Sequence, residues 1–546
     1  MPKEERRKVR EQKRAEMGVP TKMNKYLWFV LIFAGIVNFF DGWCSIAITL
    51  AMSSISGAIN LDLLKMTNPD FFTYFGIAGS PVTMGIVLSI AGIGVMASVS
   101  FKYLVDKYGR RPLTIWTSVA FITFSVCISF SPLGLEGLRI FLIFRILANY
   151  FLSADIVVLI IAEESPNDLR GRLIGMVLAI GSIGGVACGV IQAIGIQVQI
   201  SSTIILTTWQ SMFFLTSIGY IFIIPLFFFL KETKRFEAMK KYEEWRKNRG
   251  LKPKTGWFTP WKKDFRRVMI LGCIVGFLGT LVGFAQTTFF ALYFAKELNM
   301  SSELIGIAAL PLLLATGIGC FIAGPIIDRW GRIPTIHRSG CITLLGLAIF
   351  SWPTVFVCGD LLNPFLIILV IIGGMLGILG GTLLITAGVI IGIEMTPTHI
   401  RSTAGGWTGT ISRAATVLAP FLMMFGAEKL GGLGLSYQFM FMLMIFPLVT
   451  VMFTAYLLAP EGKGRELEEI VVSEVYTKIK KTSERAHKSP YYYYFLAFVS
   501  ALCCTYIYGL TTEGSLSSIS MIIGFYSGVS LICFLMVIKV REMITE

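Results

Sequence analysis

Charge is scarce in this chain. Asp, Glu, Lys and Arg make up 15% of its 546 residues, gathered into short stretches between long apolar runs. That scarcity excludes an ordinary soluble domain, in which roughly a quarter of the residues are charged. Catalytic signatures are missing too. There is no H-E-x-x-H, no G-x-S-x-G and no P-loop, so an enzyme is not expected. The ten cysteines lie in or at the ends of apolar runs, with no spacing that suits zinc, so neither metal nor cofactor is implied. No small-residue cleavage site follows the first apolar run, which reads as a retained helix and not a removable signal.

What is abundant is apolar length. Hydrophobic residues are 55% of the chain and mean hydropathy is +0.72. About 20 apolar residues at about 1.5 Å rise cross a hydrocarbon core of roughly 30 Å. Inside lipid every backbone polar group must be paired within its own segment, so these runs are expected to be helices. The formal charge is +15, yet the bases crowd into 1–25, into short turns, and into 231–267, which holds fourteen Lys or Arg residues. That is the positive-inside pattern of a multi-spanning protein, and it excludes nucleic acid as the partner. It places both termini on the cytoplasmic side of the cell membrane, with the lipid bilayer as surroundings. The divisions expected are a basic tail (1–25), six spans (26–230), a cytoplasmic central loop (231–267), six more spans (268–458), a charged segment (459–490) and two added membrane helices with a tail (491–546).

Three marks recur in order. Asp106-Lys107-Tyr108-Gly109-Arg110-Arg111 is echoed 222 positions later, at Asp328-Arg329-Trp330-Gly331-Arg332. Glu163-x-x-Pro166-x-x-x-Arg170 returns 231 positions later as Glu394-x-x-Pro397-x-x-x-Arg401, and Glu232 returns 229 positions later as Glu461. Such recurrence at nearly one spacing means a duplicated unit. In span 5, Gly181, Gly185 and Gly189 form a small-residue stripe that lets helices approach closely.

Gly324-x-x-x-Asp328-Arg329-x-Gly331-Arg332 resembles the loop signature of the major facilitator superfamily; in the first copy, Lys102 stands at the leading glycine position. Pro460-Glu461-Gly462-Lys463-Gly464-Arg465 and the residues after it resemble the ending of sugar-porter-like members. Asp41-Gly42-Trp43 resembles part of the D-G-Y-D motif of aromatic-acid/proton symporters, with Cys44 in place of the second acid. Arg401 and Arg413 around Gly406-Trp407 resemble that group's span 11. Arg145 to Asp155 is similar to a stretch of phosphate/proton symporters. These resemblances imply an all-α integral membrane fold of two six-helix halves related by pseudo-two-fold symmetry, here with two extra C-terminal helices, working by alternating access.

Asp41, Arg145, Asp155 and Arg413 fall inside expected spans, where a charge costs at least about 2.5–3.5 kcal/mol and normally faces a cavity or a partner. Asp41 and Asp155 are the proton-coupling candidates, because movement between polar and apolar surroundings can load and release a proton. A fixed salt bridge from Asp155 to Arg145 or Arg413 is the alternative. Arg413 is the candidate for gripping an anionic solute through its guanidinium fork. Arg145, expected nearer the outer end of span 4, is assigned a structural role. Gln192, Gln286, Thr287 and Thr288 could line a midplane site, and Trp43, Trp407 and Phe40 could stack on a ring; packing is the alternative for each. Asp106, Arg110, Arg111, Glu163 and Arg170 in one half, with Asp328, Arg329, Arg332, Glu394 and Arg401 in the other, are expected to gate the cytoplasmic side. The expected activity is secondary active transport of a small solute, with proton symport of an organic acid or phosphate placed ahead of a sugar or polyol, and a transporter-shaped sensor far behind. A monomer is expected.

Overall fold

The computed structural model describes residues 23–458 except 53–68, 78–80, 153, 167–168, 202–203, 249–256, 299, 301, 352–363, 397–399 and 428–434, together with Ile523, Ser527 and Ser530. The tail 1–25, the segment 459–490 and the added pair 491–546 lie almost wholly outside these residues. Among the described residues the chain is helical, with a single isolated bridge between Gln199 and Ile205.

The first half consists of α1 (Lys25–Ala51), a short α2 (Phe71–Phe75), α3 (Pro81–Ala97) continued by α4 (Val99–Tyr108), α5 (Arg110–Ile128), α6 (Gly134–Tyr150) continued by α7 (Ala154–Glu164), α8 (Arg170–Ile194), and α9 (Thr208–Phe214) continued by α10 (Gly219–Phe229). An exposed helix, α11 (Lys234–Asn248), connects to the second half. There follow α12 (Lys263–Lys296), α13 (Ser302–Trp330), α14 (Arg332–Ser351), α15 (Pro364–Met395), α16 (Arg401–Ala427), α17 (Tyr437–Met442) and α18 (Ile445–Leu458). Eight spans among the described residues, counting α17 and α18 together (Tyr437–Leu457), are long and apolar enough to cross a bilayer. Of the remaining spans three are broken in two, and the fourth, α16, carries Thr408, Thr410, Ser412, Arg413 and Thr416.

The duplication is visible in the backbone. The turn between α4 and α5 pivots on Gly109 at φ 110°, and that between α13 and α14 on Gly331 at φ 98°. A side chain rarely adopts that region, so glycine is required at both. The sixth and twelfth spans also match. The hydroxyls of Thr207 and Ser436 cap α9 and α17, and each helix breaks soon afterwards, at Leu215–Ile218 in one and just after Met442 in the other. Thr207 and Ser436 stand 229 positions apart.

Within the halves α8 packs along α1, and α15 along α14 and α12. The halves meet where α8 lies against α13 and where α3 and α4 lie against α16. The end of the molecule holding the Gly109 and Gly331 turns is called below the charged-turn end, and the opposite one the far end.

Candidate functional site

Asp41 lies on α1 beside Gly42, and Gly42 is pressed so closely on α8 that a Cβ there would collide with the Gly181 carbonyl. Gly184 meets the Phe39 carbonyl just as closely, so glycines in α8 dock α1 and fix where Asp41 stands. Gly185 faces Ile46, while Gly189 faces open space. The docking stripe is therefore 181, 184 and 185, and the expected third member is not part of it.

Arg145 arrives from α6, 11 residues into a fourth span that runs from Gly134 to Glu164. It is 4% exposed. Nη2 donates to the Cys44 carbonyl of α1 at 2.9 Å, and the guanidinium lies 5.8 Å from the Phe213 ring of α9. Nε and Nη1 are buried without a hydrogen-bond partner among the described residues. The charge of Asp41 acts on it through space. The structure thus brings the Arg145 guanidinium of α6 onto α1 at Cys44, three residues from Asp41, whose charge reaches it through space. Sequence reasoning gave Arg145 a bracing role, because nothing local shows that α6 and α1 are in register there.

Trp43 is turned into this packing. Its indole N–H donates to the Met212 carbonyl at 2.8 Å, its ring lies 5.8 Å from Phe39, and it is 7% exposed. It has no face left for a solute. Phe40 is buried likewise. Trp407 sits at the charged-turn end of α16, donating to the Trp257 carbonyl at 3.0 Å amid the rings of Trp257, Phe258 and Trp261. It anchors the central loop, away from the midplane.

Arg413 is half-buried on α16, in the seam between the halves. Three residues before it, the Thr410 hydroxyl donates to the Met96 carbonyl of α3 at 3.1 Å. Four residues after it, the Val417 carbonyl accepts the Ser89 hydroxyl of α3 at 2.8 Å. Gln286 of α12 is buried opposite Gly377 and Gly381 of α15, and Gln192 is half-buried near the far end of α8. In each the side-chain oxygen is buried without a hydrogen-bond partner among the described residues. The Thr287 hydroxyl donates to the Gly283 carbonyl of its own helix at 2.9 Å, and Thr288 is buried. For Asp106, Asp155, Arg170, Glu394 and Arg401 only the helical backbone is described.

The charged turns divide into two devices. Arg110 is fully buried, with Nη2 donating to Glu163 Oε1 at 3.1 Å and its guanidinium 4.6 Å from the Phe236 ring. The second Glu163 oxygen accepts the Thr233 hydroxyl at 2.8 Å. Glu232 accepts the backbone N–H groups of Arg110 at 2.9 Å and Arg111 at 3.2 Å, and Glu164 accepts that of Lys234 at 2.7 Å. All of these groups belong to one half and the start of the loop. These contacts brace the first half against the start of the loop. Glu232, Thr233 and Phe236 complete them; the Lys231-Glu232-Thr233 stretch was read only as a mark of the repeat.

The seam itself closes on glycine. A Cβ at Gly324 of α13 would stand 2.5 Å from the Gly171 carbonyl oxygen and 2.6 Å from the Arg172 nitrogen of α8. A Cβ at Gly175 would stand 2.6 Å from the Cys320 carbonyl oxygen. The Asp328 carboxylate lies at the first turn of α8, 3.4 Å from where a Gly171 Cβ would be, where exposed amides favour negative charge. Arg332, one turn on, reaches Asp328 at 3.9 Å, and Arg329 is exposed. Between the described residues these contacts run from the charged-turn end to mid-span, so the molecule is shut at that end.

Comparison with known proteins agrees with this architecture. A putative metabolite transport protein of Haemophilus influenzae is 24% identical over 477 residues, covering 82% of this chain and 99% of its own. The glucose transporter GlcP of Staphylococcus epidermidis is 22% identical over 484 residues, covering 82% and 97%. A benzoate transport protein of Acinetobacter baylyi is 23% identical over 232 residues, 41% of this chain and 43% of its own. Among solved structures, the proton:xylose symporter XylE bound to 6-bromo-6-deoxy-D-glucose superposes with a TM-score of 0.61 at 18% identity, over 82% of this chain and 98% of that one. The inward-open conformation of XylE from E. coli gives 0.56 at 18% identity, over 81% and 99%. The family model of the Major Facilitator Superfamily matches residues 31–387 and 273–540. The chain, a multi-pass membrane transporter and not an enzyme, belongs to the Major Facilitator Superfamily.

Proposed function

We propose that this transporter is a proton-coupled symporter in which Asp41 carries the proton and Arg145 senses its loss, and that its solute is a small polyhydroxylated molecule of the sugar or polyol class. The observation that carries the coupling is Arg145, buried with two of its nitrogens unpartnered and within reach of the Asp41 charge. With Asp41 ionised the pair is neutral. With Asp41 protonated, Arg145 loses that compensation at mid-span, where a charge costs about 2.5–3.5 kcal/mol. That is roughly a hundredfold bias on a two-state equilibrium. Protonation therefore favours the conformation in which water or solute reaches Arg145, and deprotonation favours closure around it.

The unpartnered oxygens of Gln192 and Gln286 support hydroxyls as the solute chemistry. A buried acceptor needs a donor. A hydroxyl supplies one and also accepts from a guanidinium, whereas a carboxylate only accepts. The sugar substrates named for GlcP and XylE point the same way and move a sugar or polyol ahead of an organic acid. Arg413 in the seam and the benzoate-transporting relative favour the second reading, a small organic anion. The charged-turn end is taken as cytoplasmic, from the crowding of bases there. Uptake into proteoliposomes over a panel of monosaccharides, polyols and carboxylates, with and without an inward proton gradient, tests both parts. Gradient-driven accumulation of a polyhydroxylated solute is expected; accumulation confined to carboxylates, and lost in Arg413→Gln, would establish the second reading.

A further inference from the structure

The start of α1, the start of α5 and the end of α10 converge at the charged-turn end. The Tyr26 phenol donates to the Lys231 carbonyl at 3.2 Å and accepts from the Lys231 N–H at 3.1 Å. The Lys231 ammonium stands 5.8 Å from the Tyr26 ring, and Phe29 sets its edge on Phe229 at 5.9 Å. The charges of Arg111, Glu164 and Glu232 all reach the Tyr26 phenol. The two acids already accept the N–H groups of Arg110, Arg111 and Lys234. Lys25, Arg111 and Lys231 are exposed around this point, so the mouth presents positive charge.

Below the mouth the same three helices enclose an apolar crevice, bounded by Phe33 and Val37 on α1, Ser118 and Ile122 on α5, and Gly219 and Ile223 on α10. Its floor is where Ile122 and Phe40 close on Gly219. Phe33 and Val37 lie 7 and 11 residues beyond Tyr26, Ser118 and Ile122 lie 7 and 11 beyond Arg111, and Ile223 and Gly219 lie 8 and 12 before Lys231. At about 1.5 Å per residue, all three helices put the crevice about 10–18 Å below the cations. Half of a hydrocarbon core is about 15 Å. The flanks, Trp28, Ile32, Phe228 and Phe229, are exposed, so the crevice opens sideways toward lipid and away from the Asp41–Arg145 pair.

From this coincidence of depth and charge we propose that the α1–α5–α10 crevice binds one anionic phospholipid, its phosphate between Lys231 and Arg111 and one acyl chain laid inward to Gly219. The site is independent of the solute. Its floor touches Phe40, the neighbour of Asp41.

The full-length protein in detergent, titrated in native mass spectrometry with phosphatidylglycerol, phosphatidylcholine of identical chains, and glycerol 3-phosphate, tests it. Phosphatidylglycerol is expected to bind about 25-fold more tightly than phosphatidylcholine, at about fivefold for each of two cations. Glycerol 3-phosphate should neither bind nor compete at comparable concentration. Lys231→Gln and Arg111→Gln should each weaken phosphatidylglycerol about fivefold, and Val37→Trp should abolish it. Equal binding of the two lipids, or tight binding of glycerol 3-phosphate, would overturn the proposal on the wild-type protein alone. Unchanged affinity in both cation variants would overturn it as well.

Discussion

Gly324→Ala is the substitution from which the closure of the charged-turn end can be judged. The new Cβ would stand 2.5 Å and 2.6 Å from two backbone atoms of α8, at Gly171 and Arg172. Neither can rotate away as a side-chain tip would, so α8 and α13 must part. Forcing an extra methyl into a packed contact costs about 1–3 kcal/mol. On the reading that α8 and α13 part at this point when that end opens, the whole cost falls on one side of the conformational equilibrium. The shut state should lose roughly five- to 150-fold in population relative to the open one. Spin labels at Tyr108 and Arg329, exposed residues of opposite halves at that end, report it as a longer distance population in pulsed dipolar spectroscopy. Gly189→Ala, on the same helix α8 and facing open space, is the control and should leave the distribution unchanged. A Gly324→Ala distribution matching the wild type, or one that moves equally in the control, would refute the glycine seam as the closing contact.

Glu163→Ala leaves the fully buried Arg110 guanidinium without its carboxylate and the Thr233 hydroxyl without its acceptor. Breaking such a pair costs about 3–5 kcal/mol, so the melting temperature should fall clearly, whereas Glu136→Ala, from a pair exposed on both sides, should not change it measurably. Trp43→Phe removes one buried hydrogen bond to Met212, worth about 1 kcal/mol. A thermal shift should record that loss while KM for the solute stays unchanged, because the ring faces Phe39. Arg145→Gln removes the charge that compensates ionised Asp41, and pH-gradient-driven accumulation should vanish while solute exchange persists. Accumulation at the wild-type level would exclude Arg145 from coupling.

The fold was largely legible because membranes restrict the solutions. Long apolar runs had to be helices, and Asp106–Arg111 echoing Asp328–Arg332 had to mean duplication. The two glycine turns, at Gly109 and Gly331, take a positive φ at both copies. The site was legible only in part. Asp41 and Arg145 were each conspicuous as charges inside apolar runs, but that Arg145 reaches α1 at Cys44, 101 residues away in sequence, depends on how α6 packs against α1. Trp43 and Trp407 looked like solute platforms because their N–H partners, the Met212 and Trp257 carbonyls, lie 169 and 150 residues away in sequence. Arg110 and Glu163 were placed in one half by the sequence, but that they pair with each other, 53 residues apart, follows only from the fold.

The central claim, that Asp41 carries the coupled proton, is tested most directly by following pH and solute together in proteoliposomes containing wild type or Asp41→Asn. Wild type should move protons with the solute, in fixed ratio. In Asp41→Asn, solute exchange should continue with no accompanying proton movement. Proton movement in the variant at the wild-type ratio would contradict the account.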